Sequence, residues 1–275
     1  MLKTKVGSIQ TKLDRDQAAS LVAKGQIAGI FNRGVCALWF DGGNLSAVKK
    51  IWAIKGEGRK GKPIALTLSL EELIPMIDLP KLPQSVQKFL SSPDLKSKIG
   101  SLCFIRAPLR DSHFKLIPDH AKSFDGGICM IQNWDSHGHT PTELFLKKVR
   151  QLGVVHPAVT SMNVTGQREI VNQEEGVQFC QDHGIVIFLK DPQAQPLHIG
   201  SYTILTLERN GIKLERDGNI PGKLFLKIFG LPIDFKDAKK PNYPQLKFPD
   251  TLFKNLTGTK VREIILLYLK GGLDV

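Results

Sequence analysis

The chain lacks any long apolar run. None of its hydrophobic stretches approaches the roughly 18 residues of a bilayer-spanning helix, so no membrane span is expected. The N-terminal MLKTKVGSIQTKLDRDQ mixes charges and has no apolar segment of the secretory type, and Asp14 and Asp16 argue against a transit peptide. Cysteine is sparse. Cys36, Cys103, Cys129 and Cys180 are scattered without CxxC spacing, which points away from structural zinc and towards a reducing, cytoplasmic compartment. Internal repeats and low-complexity segments are also absent. Acidic residues are outnumbered by basic ones, 26 to 38, leaving a net charge of +12. That balance fits polyanionic partners such as nucleic acid, nucleotides or acidic lipid, against the plainer reading of solvated lysine faces. The cations are spread along the chain, so any basic patch must be assembled by the fold.

What is present is an alternation of helical and strand patterns. Residues 16–24 predict a helix ended by Gly25, and 26–31 (QIAGIF) a short strand. Residues 45–55 (LSAVKKIWAIK) predict an amphipathic helix with Leu45, Val48, Ile51, Trp52 and Ile54 on one stripe. Residues 63–68, 100–105, 127–131, 157–160 and 185–189 read as strands, and 141–152 and 174–183 as helices. Ser69 and Glu72 have capping-box spacing. Residues 202–207 and 211–216 flank Arg209-Asn210-Gly211, a hairpin signal. The expected class is α/β with a mixed sheet. Pro232, Pro241, Pro244 and Pro249 then mark an extended connector, and 261–270 a closing helix or strand, so residues 226–275 read as a C-terminal extension.

The segment GEGRKGKP, residues 56–63, has nearly the spacing of a phosphate-binding P-loop. The hydroxyl residue that must follow the lysine to hold magnesium is replaced by Pro63. The loop also follows a helix and precedes a strand, the reverse of the order that brings phosphate to a helix N-terminus. It is not a P-loop. It is a glycine-rich loop with Lys55, Arg59, Lys60 and Lys62 in eight residues, a composition suited to an anion.

Three segments carry a resemblance. From Ala47 the chain reads AVKKIWAIKGEGRKGKPI, residues 158–166 read AVTSMNVTG, and residues 215–220 read ERDGNI. These resemble, in order, the AVRRIYEIKGRPKDKPL, AVTSANLSG and RPGAI segments of the YrdC-like family, the threonylcarbamoyl-adenylate synthases. The resemblance covers about residues 12–225, the expected YrdC-like domain, and leaves 226–275 unexplained. It implies a twisted mixed sheet with flanking helices and a basic concave face. It also implies an activity: L-threonine, bicarbonate and ATP give threonylcarbamoyl-AMP and pyrophosphate, for tRNA threonylcarbamoyladenosine. ATP is then the substrate, and magnesium can accompany its phosphates.

The chemistry requires cations around a carboxylate, a carbamate and a triphosphate. By resemblance, Lys55 meets carboxylate or phosphate, with Arg59 on the same basic loop. Ser161 and Asn163 form the family's Ser-x-Asn pair beside Thr160, and Arg216 faces the phosphates. Taken singly, each is an ordinary helix end, turn or surface cation. No residue stands out as the catalytic group.

The departures are equally specific. Where the family has PTDTVYGLGADALN, this chain has FNRGVCALWFDGGN, residues 31–44. Asn32 and Gly34 replace two threonines, Cys36 a tyrosine and Ala37 a glycine, all at pocket positions. Lost hydroxyls that orient a polar substrate cost about 1–3 kcal/mol each. Glu57 stands where an arginine is usual, and Tyr202 where a serine is usual. The resemblance therefore implies a divergent member with an altered threonine side, or a weak paralogue that binds nucleotide or double-stranded RNA. Asp135, His137 and His139 have the types but not the loop geometry for a metal, and none is expected. Cys36, in apolar VCAL, reads as a buried thiol rather than a nucleophile.

Overall fold

The structure, a computed structural model, describes residues 3–32, 34–57, 62–93, 103–122, 128–133, 140–194, 200–240 and 245–269. The chain is mixed α/β and divides into two compact units. Unit 1 holds residues 1–67, 117–122 and 139–200; unit 2 holds 68–116, 123–138 and 201–275.

In unit 1 the strands are β1 (Lys5–Ser8), β2 (Ala28–Asn32), β3 (Val35–Asp41), β4 (Ala65–Leu68), β7 (Pro157–Ser161) and β8 (Ile187–Lys190). Their order is β1-β8-β2-β3-β7-β4, with the first three parallel and the remainder antiparallel. The helices are α1 (Lys12–Ala23), α2 (Leu45–Lys55), α6 (Thr140–Gln151) and α7 (Gln173–Asp182). Side-chain oxygens of Asn44 and Asn172 cap α2 and α7 by accepting amide hydrogen bonds, the usual device for orphan N–H groups at a helix start.

Most of the segment that replaces the family's PTDTVYGLGADALN is strand, in β2 and β3. β2 and β3 form a hairpin through Gly34, whose φ of 88° is the left-handed conformation glycine tolerates. β3 is buried from Val35 to Phe40. A strand covered on both faces carries no alternation, and VCALWF has none.

The face of α2 also differs from the simple stripe. Ala47, Val48, Ile51 and Lys55 are buried, whereas Leu45 is 52% exposed in the first turn. Helical spacing therefore carries Lys55 inward, one turn beyond Ile51.

In unit 2 the strands are β5 (Cys103–Pro108), β6 (Ile128–Asn133), β9 (Thr203–Glu208), β10 (Gly211–Arg216) and β11 (Ile233–Asp234), in the order β6-β5-β9-β10-β11. Helices α3 (Leu70–Met76), α4 (Gln84–Leu90), α5 (Asp111–Phe114), α8 (Gly222–Phe229) and α9 (Thr259–Leu269) belong to it. The Ser69–Glu72 capping box is formed. The hairpin of β9 and β10 pairs Gly211 with Glu208. Residues 261–269 are helical, in α9, with Val261 and Ile265 fully buried. Residues 233–234 join the sheet as β11.

Candidate functional site

The sheet of unit 1 brings Lys55, Ser161 and Asn163 together. Lys55 is 4% exposed, and its ammonium donates to Ser161 O at 2.7 Å, Asn163 Oδ1 at 2.7 Å and Ser161 Oγ at 3.4 Å. The Ser161 hydroxyl donates to Asn163 Oδ1 at 2.7 Å, and Asn163 Nδ2 donates to Gln167 O at 2.8 Å. A buried cation is costly unless hydrogen-bonded, and here those bonds shape the turn after β7. The backbone adds to it: Thr165 N donates to Lys55 O at 2.9 Å.

Cys36 anchors both ends of that turn through its main chain. Met162 N donates to Cys36 O at 2.8 Å, and Cys36 N donates to Ile170 O at 2.7 Å. Its side chain is fully buried, with Sγ 3.5 Å from Asn172 O. Gly176 lets α7 approach this closely, since a Cβ there would lie 2.7 Å from Cys36 Sγ. Burial, with smaller contributions from Cys180 and Glu175, pushes the thiol far above its ordinary value. The chemistry of Cys36 here is packing, not nucleophilic attack.

The other expected residues are placed as follows. Thr160 pairs with Leu38, and Ser161 with Ala37, so strand alternation puts Thr160 on the face opposite Ser161. Asn32 pairs with Val35 at the end of β2 and is 2% exposed; among the described residues its Oδ1 has no hydrogen-bond partner. Glu57 is exposed just after α2. Arg59, Asp135, His137 and His139 lie outside the described residues. Arg216 is in unit 2, where its Nη2 donates to Tyr202 O at 2.8 Å.

Two participants escaped the motif reading. Gln167 and Thr165 contribute through main-chain groups, which no side-chain pattern reveals. In unit 2, Arg106 Nη1 meets Glu215 Oε1 at 2.6 Å, and Thr206 Oγ1 donates to Glu215 Oε2 at 2.8 Å. Burial raises the Glu215 carboxyl, but the Arg106 guanidinium and the Thr206 hydroxyl outweigh it and hold the group below its ordinary value.

Neither a protein-family model nor a curated protein sequence matches the chain. Solved structures do. P. abyssi Sua5 complexed with L-threonine is similar at TM-score 0.59 and 17% identity, over 98% of this chain and 78% of that one. A double-alanine variant of P. abyssi Sua5 gives 0.60 at 17% identity, over 84% of this chain and 65% of that one's length. E. coli YciO gives 0.54 at 13% identity, over 78% and 93%. This chain has the YrdC-like fold. Within the YrdC-like fold, the Lys55–Ser161–Asn163 cluster is built by two of the segments that carry the sequence resemblance, around residues 47–64 and 158–166.

Among the described residues, no three or more His, Cys, Asp or Glu side chains gather as a metal cage. No helix among the described residues is long and apolar enough to cross a membrane.

Proposed function

We propose that this chain binds ATP and acts as an enzyme of the threonylcarbamoyl-adenylate synthase type, joining a small amino acid, bicarbonate and ATP with release of pyrophosphate, in the service of tRNA modification. The observation that carries the reading is the buried Lys55 ammonium holding Ser161 and Asn163 at the end of β7. A cation fixed in a water-poor setting favours a carboxylate or phosphate nearby because its charge is little screened, even though its three donors are directed at Ser161 and Asn163. The half-buried Ser161 hydroxyl donates to Asn163 and accepts from Lys55 at 3.4 Å, which leaves one oxygen lone pair to accept from a ligand.

Two further facts support the reading. One is that a P. abyssi Sua5 of the same fold is complexed with L-threonine. The other is the net charge of +12, which favours nucleotide and tRNA alike. Asn32, Gly34 and Cys36 make the amino-acid side of the site differ from the family pattern, so a substrate other than threonine is the natural variant of this reading. By resemblance, Arg59 and, separately, Arg216 in unit 2 are candidates for phosphate contacts.

The test is ATP binding by calorimetry, with pyrophosphate assayed across a panel of L-amino acids plus bicarbonate. Pyrophosphate that requires both an amino acid and bicarbonate supports the reading; failure to bind ATP overturns it. The charge also favours a second reading, a catalytically weak RNA-binding module. That reading predicts double-stranded RNA affinity falling with salt by about 0.9 log units per log unit for each phosphate contact.

A further inference from the structure

β10 carries a bulge at the residue before Arg216. Leu214 faces Leu205 and Arg216 faces Ile204, which leaves Glu215 as the extra residue. A bulge interrupts the ladder and re-aims the side chains around it. Here it turns Glu215 to Arg106 and Thr206, and Arg216 to the Tyr202 carbonyl.

On the outer edge the interruption is closed by one residue. Lys239 N donates to Glu215 O at 3.1 Å, and Lys239 O accepts from Asp217 N at 2.8 Å, forming a parallel bridge centred on Arg216. The segment that brings Lys239 there begins at β11, whose Ile233 and Asp234 pair with Ile212 and Lys213. It then turns, with Lys236 N donating to Asp234 Oδ1 at 2.8 Å and Asp237 held at a φ of 62°. A non-glycine residue is held there only when its surroundings impose the conformation. Residues 233–239 are thus bound to β10 at both ends.

We infer that residues 233–239 form a strap that positions Arg216, with Lys239 as the positioning residue. The inference rests on the proposed nucleotide reading, in which Arg216 meets the triphosphate. Hydrogen bonds to the residues on either side of Arg216 hold the backbone at the bulge. Without them an edge bulge has unpaired groups and a loosely set side chain. The strap acts through main-chain atoms, so the side chain of Lys239 is dispensable while its amide is not.

ATP titration of the full-length protein tests this with Arg216→Ala, Lys239→Pro and Lys239→Ala. Proline removes the amide donor, whereas alanine keeps it. The expected result is ATP affinity weakened about tenfold in Arg216→Ala and Lys239→Pro, with Lys239→Ala close to wild type. Wild-type affinity in Lys239→Pro, beside a weakened Arg216→Ala, overturns the strap while the nucleotide reading stands. Wild-type affinity in Arg216→Ala removes the phosphate role of Arg216 and the inference with it, again without touching ATP binding itself. Should Lys239→Pro fail to fold, amide hydrogen exchange of the unaltered protein decides. ATP is expected to slow exchange of the Asp217 amide, and unchanged exchange at saturating ATP overturns the inference.

Discussion

The Lys55 ammonium lies 2.7 Å from Asn163 Oδ1, and the same oxygen receives the Ser161 hydroxyl at 2.7 Å. One acceptor thus ties the end of α2 to the turn after β7. Replacing Lys55 with methionine keeps the length of the side chain and removes the donor. Loss of a buried donor costs about 1–3 kcal/mol. Urea denaturation of Lys55→Met is expected to show that loss, and Lys55→Arg is expected not to restore it, because a planar guanidinium does not fit a point-charge site. Unchanged stability in Lys55→Met would contradict the buried network.

Asn32 predicts the opposite sign. Its Oδ1 is buried with no partner among the described residues, an arrangement that costs the fold stability. Asn32→Val, which fills similar space without the unpaired oxygen, is expected to raise the melting temperature of the free protein by about 2–4 °C, the shift that about 1 kcal/mol gives at this size. A lowered melting temperature in a thermal scan would show that Asn32 supports the fold instead.

The Glu215 carboxyl gives the pH dependence. Its folded value lies below the ordinary 4.5, so the ionised form is favoured by folding. The stability it adds is complete above 4.5 and is lost as pH falls through the folded value. Glu215→Gln should therefore flatten the acid limb of the unfolding curve below pH 4.5 and change its shape little near neutrality. An acid limb identical to wild type in pH-dependent denaturation would count against the Arg106–Glu215 pair as its source.

The thiols of Cys36 and Cys180 should be silent. Burial lifts Cys36 far above its usual range and Cys180 to about 12. Iodoacetamide at about pH 8 is expected to leave both unmodified in the native protein and to label both in urea, because the thiolate is the reactive form. Native labelling of Cys36, read by peptide mass mapping, would show a reactive site.

Part of this could be read in the sequence, for identifiable reasons. Amphipathic α2, the Ser69–Glu72 cap and the hairpin at Arg209-Asn210-Gly211 announce themselves through periodicity and turn chemistry. β3 does not, because both its faces are buried and its residues carry no alternation. Lys55, Ser161 and Asn163 could be paired through the family segments, and the structure joins them by hydrogen bonds. The inward turn of Lys55 follows from its place one helical turn beyond Ile51, a signal available in the spacing. The roles of Gln167, Cys36 and Lys239 were not legible, since each acts through a main-chain group whose partner is set by the fold.

The most direct test of the account is calorimetry of ATP with the full-length protein, first alone and then with L-threonine and bicarbonate, while pyrophosphate is followed in the same solution. The account predicts saturable ATP binding that weakens in Lys55→Met, with pyrophosphate appearing when an amino acid and bicarbonate are both supplied. No ATP binding by the folded wild-type protein would contradict it.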